Sequence, residues 1–551
     1  MVVGLTSPPT SSPASRPTSS RLRLKPTLPV LLFLCGHAAL FLYYQRSLQE
    51  ARSTSASFST RGRSSLFSSF SSSSSSPARP PPPPSAALAA SASSLTDPVL
   101  PSQSCEVCHL DSTNALCEKY GEDSIRLSRA YEGSGARLRR VLEKALRGES
   151  IGVGVLGASI TQGHGLADPP SQVWYRKWFD DFQRNFPNAK LHVGAVGAMD
   201  SHFFAYCFEA LVPSDLDLYI LELDVNNIAA LSQLRDDDRL MRAILQLPQE
   251  PALMRVSAFA ILFDELAQGI TSNLVTSQFF DIPVIGVRNF LLPHVMHHRE
   301  AAEELFGFDQ WGGRDYRHMS AVSHEALGDM LALYMRKEVC ETKRRASLPS
   351  FSPTEAAALP AEEDLGKIPP LAIWSSWVHP KPLTPVHPMC QTTVSPLRPL
   401  TPFSHSKAFH LLEWNGKSAW GSSQVGAQIR FKFEGTALGV FVWATNGLGA
   451  DESSEDKKLR RENGPGAAVC WIEEIGLTQE EFAAKFEGKE DADELYSFTV
   501  NSHIPTRAAS GPEFIDLADN LQYGEHILAC EVSAETTSGG NLWRVMGVAS
   551  Q

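Results

Sequence analysis

Ile151-Gly-Val-Gly-Val-Leu-Gly157-Ala-Ser159-Ile-Thr161 is the stretch whose reading decides the fold. A short apolar run ends in small residues and a serine, as a buried strand does when it turns tightly into a helix. Working outward, residues 190–193, 216–223 (LDLYILEL), 257–263 (SAFAILF) and 283–287 (PVIGV) are further apolar runs. Between and after them, 173–186, 227–246 and 320–337 repeat apolar residues every three or four positions and predict helices. Continuous apolar strands separated by helices imply a parallel sheet covered on both faces, an α/β domain spanning 105–345. In such sheets sites form at the carboxyl ends of the strands.

Beyond a Pro-rich connector at 346–400 the period changes to two. Residues 428–433 (QIRFKF) alternate, and 438–444, 467–472 and 526–532 add further strands. The segment 401–551 therefore predicts an all-β, jelly-roll-like sandwich. Apolar residues at 43% and charged residues at 20% are those of an ordinary globular protein. With 49 Lys+Arg against 61 Asp+Glu the net charge is −12, which gives no electrostatic basis for binding nucleic acid.

Residues 28–44 (LPVLLFLCGHAALFLYY) carry no formal charge and follow Arg16, Arg21, Arg23 and Lys25. The expectation is a single-pass type II signal-anchor with a disordered cytosolic tail at 1–27. A Ser/Pro-rich stalk at 45–104 would hold a lumenal body in the Golgi or secretory pathway. The alternatives are secretion after cleavage near Ala38-Ala39 and a plastid-type leader. Eight cysteines follow the apolar run, an even number that suits disulfides in a translocated chain. Cys105, Cys108 and Cys117 are the beginning of a zinc pattern without a persuasive fourth ligand.

Three blocks carry chemistry. Ser159 stands at the strand–helix turn, where its Oγ reaches a cleft and the oncoming helix N-terminus favours negative charge; the plainer reading is a helix cap. Asn226, at the end of the 216–223 strand, suits an oxyanion donor or an Asx turn. Asp315-Tyr-Arg-His318 lets a carboxylate hold an imidazole Nδ1–H within one loop, leaving Nε2 to take a proton from serine. Alone, Asp-x-x-His is more often a surface pair. Between the first two blocks, 193–198 (VGAVGA) offers exposed backbone N–H groups.

The order Gly-x-Ser159-x-Thr, a glycine-rich block, Asn226, then Asp315-x-x-His318-Met-Ser-x-x-Ser-His324 resembles the four blocks of SGNH (GDSL-like) hydrolases. The resemblance implies a three-layer, flavodoxin-like α/β domain and ester hydrolysis without metal or cofactor. It implies Ser159 as nucleophile, His318 as general base and acid, and Asp315 as orienter. The oxyanion hole it implies comprises Ser159, Gly197, Ala198 and Asn226. Ala158 replaces the usual aspartate, Met319 a proline, and Ser323 and Ala198 glycines; Asn227 stands where an aspartate often follows the asparagine.

With its trailing β domain the chain is similar to two-domain carbohydrate-esterase-like proteins of plants, algae and fungi. That similarity implies an acylated glycan as substrate and removal of O-acyl, chiefly O-acetyl, groups. A polysaccharide O-acetyltransferase with the same triad and a catalytically inactive glycan-binding protein are the alternatives. Trp414, Trp420, Trp443 and Trp471 would stack on sugars or, for most of them, pack the sandwich. His294, His297 and His298 cluster without an acidic or cysteine partner, and His164 and Trp311 lie near the catalytic blocks.

Overall fold

The computed structural model describes residues 104–551 apart from 111–112, 264–269, 310–311, 349–363, 381–382, 384–387, 415–416, 447–463, 475–496, 506–509 and 520. The expected tail and anchor, nearly all of the stalk, and Trp311 lie outside the described residues. Among the described residues no helix is long and apolar enough to cross a membrane.

The first sheet is built from β1 (Arg129–Tyr131), β2 (Ile151–Gly157), β3 (Ala189–Ala195), β4 (Leu218–Glu222), β5 (Ala252–Ser257) and β6 (Val284–Gly286). Its order is β1-β6-β5-β4-β2-β3, parallel except for β1, which runs antiparallel to β6. From β2 the chain moves to β3 on one side and then to β4 on the other, so the order reverses at β2. That is the flavodoxin-like arrangement, and its reversal point opens a crevice at the carboxyl end of β2.

Side chains alternate between the faces, and helices cover both. Ile151, Val153 and Val155 join the core under α1 (Ala136–Leu146), α3 (Trp174–Asn185) and α8 (Ala321–Ala346). Leu156, Tyr219 and Leu221 join the opposite core under α4 (Ser201–Leu211) and α5 (Leu231–Leu245). Between these helices lie α2 (Ser159–Gln162), α6 (Ile270–Phe279) and α7 (Arg288–His297). A two-stranded ribbon, β7 (Phe306–Phe308) with β8 (Arg314–Met319), precedes α8.

Two departures from the sequence reading have clear causes. The strand expected at 257–263 runs instead at Ala252–Ser257, because Arg255 interrupts the apolar signal. Its guanidinium is fully buried and donates to both oxygens of Asp237 at 2.8 Å, so the charge is paired where the pattern expects an apolar residue. Helix α4 was not expected at all. It is buried on almost every side, between the sheet and the second domain, and so lacks an amphipathic period.

The second domain packs two antiparallel sheets. One has the order β10 (Ser404–His405)-β13 (Gln428–Gly435)-β18 (Gly524–Val532)-β15 (Ala467–Glu474)-β16 (Ser497–Asn501). The other runs β11 (His410–Trp414)-β12 (Lys417–Ser422)-β19 (Trp543–Ser550)-β14 (Leu438–Ala444)-β17 (Gly511–Ala518). Strand β9 (Met389–Thr392), from within the Pro-rich stretch, also pairs with β19. Ile429, Phe431 and Phe433 meet Val440, Val442 and Val545 inside the sandwich. Phe441 and Trp443, on the other face of β14, pack into the core around α4. All eight cysteines of the body pair, as Cys105–Cys340, Cys108–Cys117, Cys207–Cys390 and Cys470–Cys530. The zinc pattern at 105–117 is thus a pair of disulfides, and Cys207–Cys390 ties α4 to β9.

Candidate active site

Ser159 opens α2 immediately after β2, at the reversal point of the sheet. Ala158, not Ser159, holds the cap position, and Ser159 Oγ lies 2.8 Å from His318 Nε2. The helix-cap reading is therefore overturned. Helix α2 is a single turn of four residues, too short for the helix field expected there to count for much. The turn is braced from below. Ala158 N–H donates to the Glu222 carbonyl at 3.3 Å, and Thr161 Oγ1 donates to Glu222 Oε2 at 2.9 Å. Burial pushes the Glu222 carboxyl up to about 8. Trp174 Nε1 donates to Thr161 Oγ1 at 3.3 Å, and its backbone N–H donates to His324 Nδ1 at 3.2 Å. His324 is fully buried, which lowers it to about 3 and keeps it an uncharged acceptor.

The Asp315–His318 block lies on β8, not in an open loop. Pairing with β7 jumps from Phe306↔Met319 to Gly307↔Asp315, so residues 316–318 bulge out of the ribbon. The bulge brings two side chains together that a regular strand would point apart. Asp315 Oδ2 sits 2.5 Å from His318 Nδ1, and Oδ1 accepts from Arg317 N–H at 2.9 Å. Close approach fixes the imidazole as well: a Cβ on Gly165 (φ +88°) would stand 2.9 Å from His318 Cβ.

Burial lowers His318 below the usual histidine value, although Asp315 pulls the other way. Burial pushes Asp315 up, but the hydrogen bond and charge of His318 outweigh it and hold the carboxyl below its ordinary value. A neutral imidazole held by a carboxylate at Nδ1 leaves Nε2 free to accept the serine proton.

The two asparagines at the end of β4 are sorted by their partners. Asn227 is buried, accepts from Ser201 N–H at 2.9 Å, and donates to Ser201 Oγ and to Asn273 at 2.8 Å. Asn226 is half-buried, and its amide has no hydrogen-bond partner among the described residues. In the second block Ala198 adopts φ 67°, the left-handed backbone that glycine usually supplies. Gly197 lies close to the nucleophile, 3.7 Å from Ser159 Cβ to where its own Cβ would be.

Of the secondary candidates, the His164 ring lies 5.2 Å from that of His318, edge to face. Trp443 is buried and Trp414 packs edge-on against it at 5.2 Å. Trp420 and Trp471 spend their indole N–H groups on the Leu400 carbonyl and on Glu473. Of the four, Trp420 packs against the sandwich core, whereas Trp443 and Trp414 belong to the core around α4, on the other face of that sheet. His294 stacks near His298 at 4.9 Å. No group of three potential metal ligands occurs among the described residues.

Sequence reading missed one feature altogether. A cavity of about 490 Å³ lies between the domains, with His164 and Gly197 on one wall and Thr393, Lys417 and Ser418 on the other. No sequence signal links residues so far apart.

No protein-family model matches the chain, and no curated protein matches it. Two crystal structures of a two-domain esterase active on acetylated mannans, one co-crystallised with mannopentaose, are similar over 77% of this chain. The TM-scores are 0.51 and 0.52 at 16% identity, covering 97% and 98% of those chains. At that identity the likeness is one of fold, and it extends through both domains. The shared architecture is an α/β domain followed by a sandwich, and in this chain the end of β2 carries a Ser159–His318–Asp315 constellation.

Proposed function

We propose that this protein removes O-acyl groups, chiefly O-acetyl, from a glycan through an acyl-enzyme on Ser159. The observation that carries the reading is the Oγ–Nε2 contact of 2.8 Å with Asp315 on the far nitrogen. In this reading Oγ attacks the ester carbonyl carbon while His318 Nε2 takes its proton. The tetrahedral oxyanion is held by the Ser159 N–H, the N–H groups of Gly197 and Ala198, and the free amide of Asn226. Collapse breaks the bond to the sugar oxygen, which leaves with the proton from Nε2. Water then attacks the acyl-enzyme, again losing its proton to His318, and Ser159 is regenerated with release of the carboxylic acid. Asp315 keeps the imidazole in the working tautomer throughout.

The glycan preference is supported by the two-domain likeness to an esterase active on acetylated mannans. Tethering through 28–44, with the body lumenal, is supported by the uncharged run and the basic residues before it. The experiment is acetate release from acetylated mannan, xylan and pectin and from an aryl acetate, alongside fluorophosphonate labelling. Labelling of the wild type that disappears in Ser159→Ala, together with acetate release, is the expected result. A reactive serine that moves acetyl to an added oligosaccharide and releases none to water would replace hydrolysis by transfer. No labelling and no release would overturn the assignment.

A further inference from the structure

Lys417, at the start of β12, reaches the interdomain cavity from the sandwich. It is the one formally charged side chain on that cavity's wall among the described residues, and no acidic group there offsets it. Its neighbours do not absorb the charge. Thr393 and Ser418 bond to each other's backbone carbonyls. The Lys417 ammonium lies 5.6 Å from the Trp443 ring centroid, a contact that suits a cation, and its three N–H donors have no hydrogen-bond partner among the described residues. A second cation stands behind it. The Arg544 guanidinium lies 5.1 Å from the Trp414 ring and 5.8 Å from that of Trp443, and it forms no ion pair among the described residues.

Across the cavity, His164 adds no positive charge. Although the residue is exposed overall, desolvation of its ring lowers it to about 4, with His318 and Lys417 repelling a further proton. In a chain with net charge −12, an uncompensated cation on a cavity that also borders Gly197 is a local exception. Half-buried cations without acidic partners are costly in the empty site and are best satisfied by an anionic ligand.

We propose that Lys417 selects an anionic glycan, holding a carboxylate or sulfate on a sugar near the acylated one in the cleft between the domains. The inference rests on the assignment of the cleft as the esterase site and adds the charge of its substrate. The ammonium donates to the anionic oxygens, the strong charge-assisted kind of hydrogen bond. A neutral sugar at that position would leave the ammonium desolvated and unmatched.

The test is binding, which does not depend on turnover. In the full chain carrying Ser159→Ala, affinities are measured for oligogalacturonate, a sulfated galactan oligomer and a neutral manno-oligosaccharide of equal length. At least one anionic oligomer is expected to bind roughly tenfold or more tightly than the neutral one, the worth of a hydrogen bond to a charged group. Which one does so identifies carboxylate or sulfate. Adding Lys417→Gln is expected to remove the difference while neutral binding persists, and Lys417→Arg to keep it. Equal binding of all three oligomers would overturn the proposal, as would a preference that survives Lys417→Gln or a loss equal for anionic and neutral oligomers. Fluorophosphonate labelling of the Ser159 chain reports separately on the esterase assignment, so the two failures are distinguishable.

Discussion

The α/β domain gathers its chemistry into one turn and one bulged ribbon, whereas the sandwich spreads its contribution along a whole sheet face. Within the sandwich, strands β13 and β14 show how that face is set apart. β13 alternates, with Ile429, Phe431 and Phe433 buried and the residues between them more open. β14 is buried at every position. Both contribute an inner face to the sandwich; only β14 also has α4 against its outer face, through Phe441 and Trp443. A sheet buried on both sides is a docked layer rather than a detachable module.

Substitutions can break this contrast between concentrated and distributed function. Ser159→Ala should lower kcat on an aryl acetate by about 10⁴-fold or more while leaving the melting temperature close to wild type. Asp315→Asn should cost about 10⁴-fold in kcat, since Oδ2 no longer holds the tautomer in which Nε2 accepts. Phe441→Ala works on the other side of the contrast. It should lower the unfolding free energy by about 3–5 kcal/mol in denaturant titration, with kcat per folded molecule changed only a few-fold.

The neighbouring asparagines sharpen the same distinction. Asn226→Ala should reduce kcat by about 10²-fold with stability preserved. Asn227→Ala, which leaves the buried Ser201 and Asn273 groups without their partner, should instead cost about 1–3 kcal/mol of stability. The smallest effect is in the pH profile. His318 must be neutral to accept a proton, so kcat/KM should rise with pH through its pKa and then level. Burial depresses that pKa, so the half-point should fall below the ordinary histidine value of about 6.5. A half-point above it would show that the charge of Asp315 outweighs burial.

Much of the fold was legible because apolar runs report directly on burial. The strands at 151–156, 190–193, 216–223 and 283–287 stand within a few residues of β2, β3, β4 and β6. The failures came where burial and apolarity part company. Arg255 is buried because Asp237 pairs with it, and α4 is buried all round, so neither carries the period that marks an element. At the site, Ser159, Asn226, Asp315 and His318 were legible as spaced blocks. Thr161 and His324 stood inside those blocks, but that they and Glu222 brace the nucleophile turn was not legible, because the role depends on neighbours from other elements.

The sequence by itself determined the order of the elements, the change of period from the α/β domain to the sandwich, and the residue types available for nucleophilic attack. Those properties are local: hydrophobic spacing and turn chemistry act over a few residues. Tertiary structure alone decided that Ser159 faces His318 rather than capping α2, that Asn226 rather than Asn227 keeps a free amide, and that Lys417 shares a cavity with His164. Each of these depends on a crossing of the sheet, a bulge or a docked face. Such contacts join residues remote in the chain, and they become specific only when both cores close.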